Sequence, residues 1–179
     1  MKKFFSSLFD LIKIVLVTLA IVIPIRYFLF QPFFVKGESM KPNFDNNQYL
    51  IVNEIDYRFS QPQRGDVIVF RYPRNPQIYF IKRVIGLPGE KIEIKNNRIT
   101  IYNQDHPKGL ILKENYLPSR TATNGSVSIL LKNDEYFVMG DNRLFSYDSR
   151  RFGPVKRNLI IGKAWLSIWP LETITTPKY

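Results

Sequence analysis

The feature that most constrains the fold is a nearly uninterrupted apolar run over residues 11–30, close to the start of the 179-residue chain. Its charged residues, Lys13 and Arg26, lie near the two ends of the run, where long side chains can extend out of an apolar layer. A helix of about 20 residues rises ~30 Å, which is the thickness of the hydrocarbon core of a bilayer. The run therefore predicts one transmembrane helix over residues 11–30, preceded by a short N-terminal segment over residues 1–10.

Two other interpretations fit this run less well. A helix buried in a soluble core normally keeps a polar stripe on one face, and residues 11–30 have almost none. A cleaved signal peptide ends at small residues of the Ala-x-Ala type, but residues 27–34 are bulky. We therefore expect an uncleaved anchor. Lysines and arginines are similarly frequent on its two sides, so charge counting alone leaves the orientation open.

Composition argues against several classes of site. The chain has no cysteine and one histidine, which excludes disulfides and thiolate chemistry and disfavours a metal centre, and no cofactor is expected. A net charge of +11 is compatible with a nucleic acid partner or with an anionic membrane surface. Because the basic residues are scattered rather than clustered, the phospholipid bilayer is the favoured partner and nucleic acid is not expected.

Beyond the apolar run the pattern changes to short stretches rich in β-branched and aromatic residues, separated by turn residues. This pattern is typical of an antiparallel β domain, here over residues 31–179. Strands are predicted over residues 48–55, 67–71, 78–85, 91–95, 98–102, 126–131, 135–139 and 159–169. The predicted fold class is mainly β, with one N-terminal transmembrane helix. Residues 103–125 are polar and contain prolines and glycines, which predicts an irregular excursion.

The sharpest local prediction is a hairpin around the Asn-Asn pair at residues 96–97. Asparagine tolerates the left-handed backbone of a two-residue hairpin turn, so this pair can join two strands tightly. The turn pairs Ile94 with Ile99, and further from the turn it pairs Ile92 with Ile101. All four side chains are then expected on one face of the hairpin.

A candidate nucleophile, Ser39, lies in a predicted turn just after the apolar run. Gly37 permits close backbone approach and Pro42 restricts the backbone that follows, so the turn can expose a hydroxyl beside amides that point at a developing oxyanion. A serine nucleophile needs a base, and the single histidine, His106, lies in the irregular excursion. A Ser–His–Asp triad is therefore disfavoured, and a Ser–Lys pair is the natural alternative.

Lys82 is the candidate base, within an apolar, strand-like run. Strand propensity alone favours a lysine that points to solvent. The chemical role instead requires Lys82 on a buried face, the same face as Phe80, because desolvation lowers the pKa of a lysine and supplies the neutral amine that a base must be. A pKa lowered by ~2 units costs ~3 kcal/mol, which the fold must absorb.

The densest polar cluster of the chain follows the seventh predicted strand. A solvated loop is one interpretation of it. The alternation of Asp and Arg with Ser favours a second one, in which the cluster supports the lysine. Asp148 is placed to pair with Arg150, and Asp141 to hold Arg150 or a backbone amide. Ser146 is placed to donate to, or accept from, the amine of Lys82.

Together these segments resemble bacterial type I signal peptidase, or leader peptidase, in the short single-anchor form of Gram-positive-type bacteria. The family's Ser-Met-x-Pro-Thr motif is matched by Ser39-Met40-Lys41-Pro42-Asn43. Its lysine motif is matched by residues 82–90, and its Gly-Asp-Asn-x-x-x-Ser-x-Asp-Ser-Arg motif by residues 140–150. The sequence departs from the family at Asn43, where threonine is usual, and at the Leu144-Phe145 pair, where polar residues are more common.

The resemblance implies an antiparallel β-sheet protease, anchored by one span in the cytoplasmic membrane, with a cytoplasmic N-terminus and its catalytic domain on the outer face. It implies that Ser39 is the nucleophile, that Lys82 is the general base, and that the main-chain amide of the serine forms part of the oxyanion hole. Ser146 corresponds to the serine that orients the lysine. Asp148 and Arg150 correspond to the structural pair beneath the site.

The implied substrates are secretory preproteins with small residues before the cut. An extended peptide can add to a sheet edge with alternate side chains in shallow apolar pockets. The candidate wall residues of these pockets are Phe33, Val35, Met40 and Ile81. Two alternatives stay open: a catalytically silent homologue that binds exported peptides, and a self-cleaving repressor, which would carry a DNA-binding domain in place of the span. The sequence does not indicate an oligomeric state.

Overall fold

The structure, a computed structural model, describes residues 2–28, 30–119 and 121–169, and the side chains of residues 9–23, 31–119 and 121–165. In chain order the strands are β1 (Phe30–Phe34), β2 (Tyr49–Asn53), β3 (Val67–Tyr72), β4 (Asn75–Gly86), β5 (Lys91–Lys95), β6 (Arg98–Tyr102), β7 (Leu110–Ile111), β8 (Val127–Leu130), β9 (Glu135–Met139), β10 (Val155–Lys156) and β11 (Ile160–Trp169). The helices are α1 (Lys2–Phe28), α2 (Asp56–Phe59) and α3 (Ser149–Phe152), with a 3-10 turn at Arg157–Leu159. The mainly β, antiparallel fold class is as predicted.

Helix α1 begins well before the predicted span and ends at Phe28, after which the chain enters strand β1. Pro32 follows shortly, and helices usually end at or before the residue that precedes a proline. The described side chains of α1, residues 9–23, are all exposed. In the part of the chain that the structure describes, no helix has both the length and the apolar character needed to cross a membrane.

The larger sheet is antiparallel and has the strand order β1-β2-β11-β3-β4-β9-β10. Strand β1 lies at one edge, where Pro32 is tolerated because its missing N–H removes no hydrogen bond from the interior of the sheet. Residues 67–70 of β3, residues 82–86 of β4 and all of β9 are buried. The second half of β4 therefore runs through the interior, which is where its Lys82 and Arg83 lie.

The smaller sheet has the order β7-β6-β5-β8 and contains the predicted hairpin. The two turn asparagines at residues 96–97 have φ angles of 51° and 59°, the left-handed values that a two-residue turn requires. Ile94 pairs with Ile99 and Ile92 with Ile101, and all four side chains are buried. The hairpin prediction is confirmed in its turn, its register and its buried face.

Among the side chains that the structure describes, three clusters of buried residues form the core. The first lies on the larger sheet and includes Phe70 and Tyr136. The second joins the isoleucines of the hairpin to β4 and β9. The third includes Met40 and Phe44, from the loop that follows β1, together with Leu50 of β2. Burying a side chain of this size contributes roughly 1.5–3 kcal/mol, so the third cluster holds that loop against the sheet.

The predicted strands agree with the structure to within a few residues, and β9 agrees at both ends. Strands β1, β7 and β10 were not predicted. The first continues an apolar run without alternation, and the other two have two residues each, too few to show a period. Among its described residues the excursion over 103–125 contains only the short strand β7, yet it is partly buried. Its Tyr116 packs on the second core cluster and its Thr123 is 2% exposed.

Candidate active site

Ser39 lies in the loop between β1 and β2, and this loop is held on both sides of the serine. Gly37 has a φ of +96°, a left-handed backbone that glycine adopts without strain, and its N–H donates to Asn46 Oδ1 over 2.8 Å. The carbonyl of Met40 accepts hydrogen bonds from two N–H groups further along the loop. The buried side chains of Met40 and Phe44 then fix the loop to the sheet.

The amine of Lys82 meets the hydroxyl of Ser39. Lys82 pairs with Ile68 of β3, and 4% of the lysine's surface is exposed. Its Nζ donates to Ser39 Oγ over 2.7 Å and to the carbonyl of Ile81 over 2.8 Å. The ring of Phe80 lies on the same side, with its centroid 5.3 Å from Nζ. The lysine is therefore buried on the face that carries Phe80, as the predicted role of a base requires.

Burial lowers the pKa of Lys82 from 10.5 to about 8, because the charged ammonium loses its hydration in the interior. The carboxylates of Asp148 and Asp141 act in the opposite direction and limit the shift. At pH 8 about half of the molecules therefore carry a neutral amine beside Ser39, against under ~1% for a free lysine. A neutral amine can accept a proton, which is what a base for a serine hydroxyl must do.

A buried ion pair lies next to the lysine. Arg83 Nε and Nη2 donate to the two carboxylate oxygens of Asp141 over 2.8 and 2.7 Å, and both side chains are fully buried. The guanidinium also stacks on the ring of Tyr116, 3.9 Å from its centroid. The prediction that Asp141 holds Arg150 or a backbone amide is wrong, because Arg83 binds both of its oxygens. The only signal in the sequence was an arginine in the middle of an apolar strand.

Asp148 and Arg150 form the pair that the sequence predicted. Arg150 Nε and Nη2 each donate to the carboxylate of Asp148 over 2.8 Å, and the same carboxylate accepts the N–H of Gly140 over 3.1 Å. Burial would raise the pKa of Asp148, but the hydrogen bonds and charge of Arg150 outweigh it and hold that pKa below its usual value. The carboxylate therefore stays ionised at neutral pH and anchors the loop that follows β9.

Ser146 is buried beside the site but does not bind the amine of Lys82 directly. Its Oγ forms no hydrogen bond of good geometry among the described residues, but it lies close enough to the carboxylate of Asp148 to help lower the pKa of that group. It lies against Gly140, where an added Cβ would collide with Ser146 Oγ and with the carbonyl oxygen of Ser39. The absence of a side chain at Gly140 thus lets the Ser39 loop and the loop after β9 approach closely. The role of Ser146 in orienting the lysine stays a prediction.

Two asparagines, neither singled out as a site residue in the sequence, tie these loops together. Asn43 Nδ2 donates to Asp141 Oδ2 over 2.8 Å and to a nearby backbone carbonyl over 2.9 Å. Asn142 donates from its backbone to the carbonyl of Ser39 and from its side chain to the carbonyl of Glu38, in both cases over 3.0 Å. Asn43 was visible in the sequence only as a departure from the family motif.

The excursion over residues 103–125 braces the same region through Arg143, whose side chain is fully buried. Its Nη1 donates to Glu114 and to Thr123, in each case over 2.7 Å, and its Nε donates to a backbone carbonyl over 3.1 Å. A second hydrogen bond joins Nη2 to Glu114. The sequence left the role of this segment open, and these contacts show that it supports the loop after β9.

A groove of about 550 Å³ opens beside the serine and the lysine. Three of the four predicted wall residues line it, namely Phe33, Val35 and Ile81. The prediction for Met40 is wrong, because its side chain is 1% exposed and packs in the third core cluster. Phe145 and Tyr147, from the loop after β9, also line the groove and were not assigned from the sequence.

Two further expectations concern other kinds of site. His106 lies exposed in the excursion, on the surface of the protein. Among the residues that the structure describes, no group of three or more His, Cys, Asp or Glu side chains is arranged to hold a metal ion. The groups that the structure brings together at the site are the hydroxyl of Ser39 and the amine of Lys82, beside an open groove.

Comparison with known proteins identifies the family. Residues 8–169 match the family described as signal peptidase, peptidase S26. The chain belongs to this signal peptidase family. Signal peptidase I P of Bacillus subtilis subsp. natto is 36% identical over 182 residues, covering 97% of this chain and 95% of the relative. Signal peptidase I of Leptolyngbya laminosa is 37% identical over 176 residues, covering 94% of this chain and 83% of the relative. Signal peptidase IB of Staphylococcus aureus (strain Mu50 / ATCC 700699) is 32% identical over 183 residues, covering 96% of this chain and 93% of the relative.

The resemblance inferred from three short motifs is thus confirmed, and the chain is a hydrolase, a protease of the signal peptidase family. The match extends over nearly all of the Bacillus and Staphylococcus relatives. It includes all three motifs, because residues 39–43, 82–90 and 140–150 fall within the matched range.

Proposed function

We propose that this member of the signal peptidase family removes signal peptides from secretory preproteins, with Ser39 as the nucleophile and Lys82 as the general base. The observation that carries the proposal is the 2.7 Å hydrogen bond between Ser39 Oγ and the Nζ of a lysine whose pKa burial lowers to about 8. A lysine in water would be protonated and unable to accept the serine proton. Family membership supports the substrate class, because the matched relatives are signal peptidases.

Catalysis proceeds through an ester on the serine. Ser39 Oγ attacks the carbonyl carbon of the scissile bond while neutral Lys82 Nζ takes the hydroxyl proton. The ammonium then gives that proton to the leaving amine, so the mature protein departs and the signal peptide stays as an ester on Ser39. Water attacks this ester with Lys82 again taking the proton, and the proton returns to Ser39 Oγ as the signal peptide is released.

The oxyanion develops beside the main-chain N–H of Ser39, from which none of the described residues accepts a hydrogen bond. We assign this N–H to the oxyanion hole. Position 37 is glycine, so no side-chain hydroxyl adds to the hole from there. The backbone around Ser39 must therefore be held firmly, and the hydrogen bond from Asn142 to the Ser39 carbonyl supports that requirement.

The groove supports binding of an extended peptide before the cut. Its walls at Phe33, Val35 and Ile81 are apolar, and at its rim Phe145 is 77% exposed, so a bound peptide would cover a ring that water now contacts. Alternate side chains of an extended peptide point the same way. The first and third residues before the cut would then enter the groove together, which agrees with a preference for small-x-small sites.

We further propose that residues 11–30 anchor the protein in the cytoplasmic membrane, with residues 1–10 in the cytoplasm and residues 31–179 forming the catalytic domain on the outer face. The apolar sequence of the run supports this, as does the exposure of the described α1 side chains, because an apolar surface of this size is normally covered. An anchor next to the site brings the catalytic groups to substrates whose own apolar segment lies in the bilayer.

Cleavage of a preprotein in detergent, with the cut mapped by mass, tests the catalytic assignment. Ser39→Ala and Lys82→Ala are each expected to abolish cleavage. Ser128→Ala and Lys95→Ala, at exposed positions on the smaller sheet, are matched controls expected to keep the wild-type rate. Circular dichroism checks that every variant folds. Processing by a folded Lys82→Ala protein would contradict the base, and a wild-type protein that binds the preprotein without cutting it would favour the silent homologue.

Alkaline extraction of membranes tests the anchor. The full-length protein is expected to stay in the membrane pellet at high pH. Replacing Val17 and Val22 together by aspartate places charges at the centre of the run, at a cost of roughly 2–4 kcal/mol each, and is expected to move the protein to the supernatant. Leu130→Asp, at an exposed position on β8, is the control and should remain in the pellet. Full release of the unaltered protein would contradict the anchor.

A further inference from the structure

A second groove, of about 460 Å³, lies next to the first. In the Ser39 loop, residues 35–39 line the first groove, whereas Lys41 and Pro42 line the second. The loop after β9 divides in the same way, because Phe145 lines the first groove and Leu144 lines the second. Two loops thus pass from one groove to the other, and in the first of them the change comes within a few residues of Ser39. Ser39 therefore lies where the lining of the first groove ends and that of the second begins.

The boundary between the grooves is held by hydrogen bonds rather than by mobile side chains. Asn142 lines the second groove, and its backbone N–H and side-chain amide donate to the carbonyls of Ser39 and Glu38 over 3.0 Å. These two bonds join the loops where they pass the serine. A peptide that crosses this point would therefore meet a surface of fixed shape on both sides of the nucleophile.

We propose that the second groove binds the part of the preprotein that follows the scissile bond, which is the start of the mature protein. The inference rests on the proposed function, in which the first groove holds the residues before the cut. An extended peptide rises ~3.3 Å per residue. A chain that leaves the first groove and presents its carbonyl to Ser39 consequently enters the second groove within the next few residues.

The lining of the second groove indicates the chemistry of this peptide. Apolar side chains form part of the lining, namely Pro42, Pro118, Ala122 and Leu144. Leu144 is 59% exposed, so it offers apolar surface that a bound side chain can cover. Thr121 and Asn142 add groups that can hydrogen-bond to a peptide backbone. The groove thus suits an extended peptide with an apolar side chain against Leu144.

The charged residues of the lining already have partners. Asp141 and Arg143 belong to the buried ion pairs with Arg83 and Glu114, and the exposed Lys41 binds Glu38 over 2.7 Å. Within the described lining, each charge is therefore balanced by a nearby opposite charge. This balance favours an uncharged peptide segment over a strongly acidic or basic one, because a charged segment would have to compete for those partners.

Two synthetic peptides test the proposal with the full-length enzyme in detergent. Both peptides have the same sequence before the cut and the same first residue after it. The longer peptide continues for four more residues, and the first of these, which is the second residue after the cut, is apolar. The longer peptide is expected to have a kcat/KM at least about five-fold higher, since covering part of a leucine is worth that much. We call the kcat/KM of the longer peptide divided by that of the shorter one the length ratio. Leu144→Ala is expected to reduce the length ratio about three-fold or more, and Leu144→Met is expected to preserve most of it. Leu130→Ala, at another exposed leucine, is the matched control and leaves the ratio unchanged.

The outcomes separate the subsite from the proposed function. Equal kcat/KM values for the two peptides would overturn the subsite while leaving signal-peptide cleavage intact. A length ratio that Leu144→Ala does not change would also overturn it, because the added residues would then bind elsewhere. Failure of the wild-type enzyme to cut either peptide, or preproteins, would remove the proposed function and the subsite with it.

Discussion

The guanidinium of Arg83 holds the carboxylate of Asp141 through two hydrogen bonds of 2.8 and 2.7 Å, one residue after the lysine that binds Ser39. Consecutive side chains of a strand point to opposite faces. Strand β4 therefore presents its amine to the serine on one face and its guanidinium to the loop after β9 on the other. One strand sets the position of the proposed base and of the loop that supports it.

Replacing Asp141 by asparagine is expected to lower the free energy of unfolding by about 3–5 kcal/mol. The change leaves the Arg83 charge fully buried without its carboxylate. Urea unfolding in detergent measures the loss. Glu38→Gln is the matched control, because it breaks the exposed pair with Lys41 and should cost under ~1 kcal/mol. Equal losses in the two variants would contradict a larger contribution of the buried pair to the free energy of unfolding.

The rate of cleavage is expected to follow the titration of Lys82. Only the neutral amine accepts the proton of Ser39, so kcat/KM should rise about ten-fold per pH unit below pH 7 and level off above a midpoint near pH 8. A lysine with the ordinary pKa of 10.5 would place the midpoint more than two units higher. A profile of kcat/KM against pH decides between the lowered and the ordinary pKa of Lys82. A midpoint near pH 6 or near pH 10.5 would contradict the assignment.

The same lowered pKa makes the stability depend on pH. Between pH 8 and 10.5 the unfolded chain holds a proton at Lys82 that the folded protein has lost, so stability rises with pH across this window. Below pH 8 the folded protein bears the full cost of the buried charge, about 3 kcal/mol. Lys82→Met removes the charge and keeps an apolar stem, so it should be more stable than wild type at pH 7 and inactive.

The contrast between two pH values checks the cause of this gain. The stabilisation by Lys82→Met, measured by urea unfolding, is expected to be large at pH 7 and small at pH 10.5, where the amine of the folded protein is neutral and that of the unfolded chain is half protonated. Lys95→Met, at an exposed lysine on β5, is the control and should show no such difference. The same gain at both pH values would mean that packing, rather than the buried charge, causes it.

Local chemistry explains what the sequence predicted well. The Asn-Asn turn fixed the hairpin register because few residues other than glycine and asparagine adopt its backbone, and the register then follows from a period of two. Ser39 and Lys82 were selected together because the chain is nearly devoid of histidine and both residues lie in family motifs. The structure brings these two side chains into hydrogen-bond contact, although they are far apart in the sequence.

Long-range packing explains what the sequence did not predict. The sequence assigned no role to Arg83, because nothing local shows that Asp141 and Tyr116 cover it. Met40 was predicted to form a pocket wall, but the loop turns its side chain into the core. The excursion over residues 103–125 has no regular pattern, so the brace that it forms with Arg143 is visible only in three dimensions.

Gly140→Ala is expected to lower kcat/KM by about 100-fold or more. The added Cβ would push apart Ser146 and the backbone carbonyl of Ser39. A shift of ~1 Å in a reacting group has an effect of about that size. The control is Gly86→Ala, at the far end of β4, where a Cβ would meet the side chains of Ile92 and Leu131 instead. That variant should lose stability but keep its activity per folded molecule. Active-site titration with a serine-reactive inhibitor supplies the folded fraction, and wild-type kcat/KM in folded Gly140→Ala protein would contradict the tight approach of the two loops.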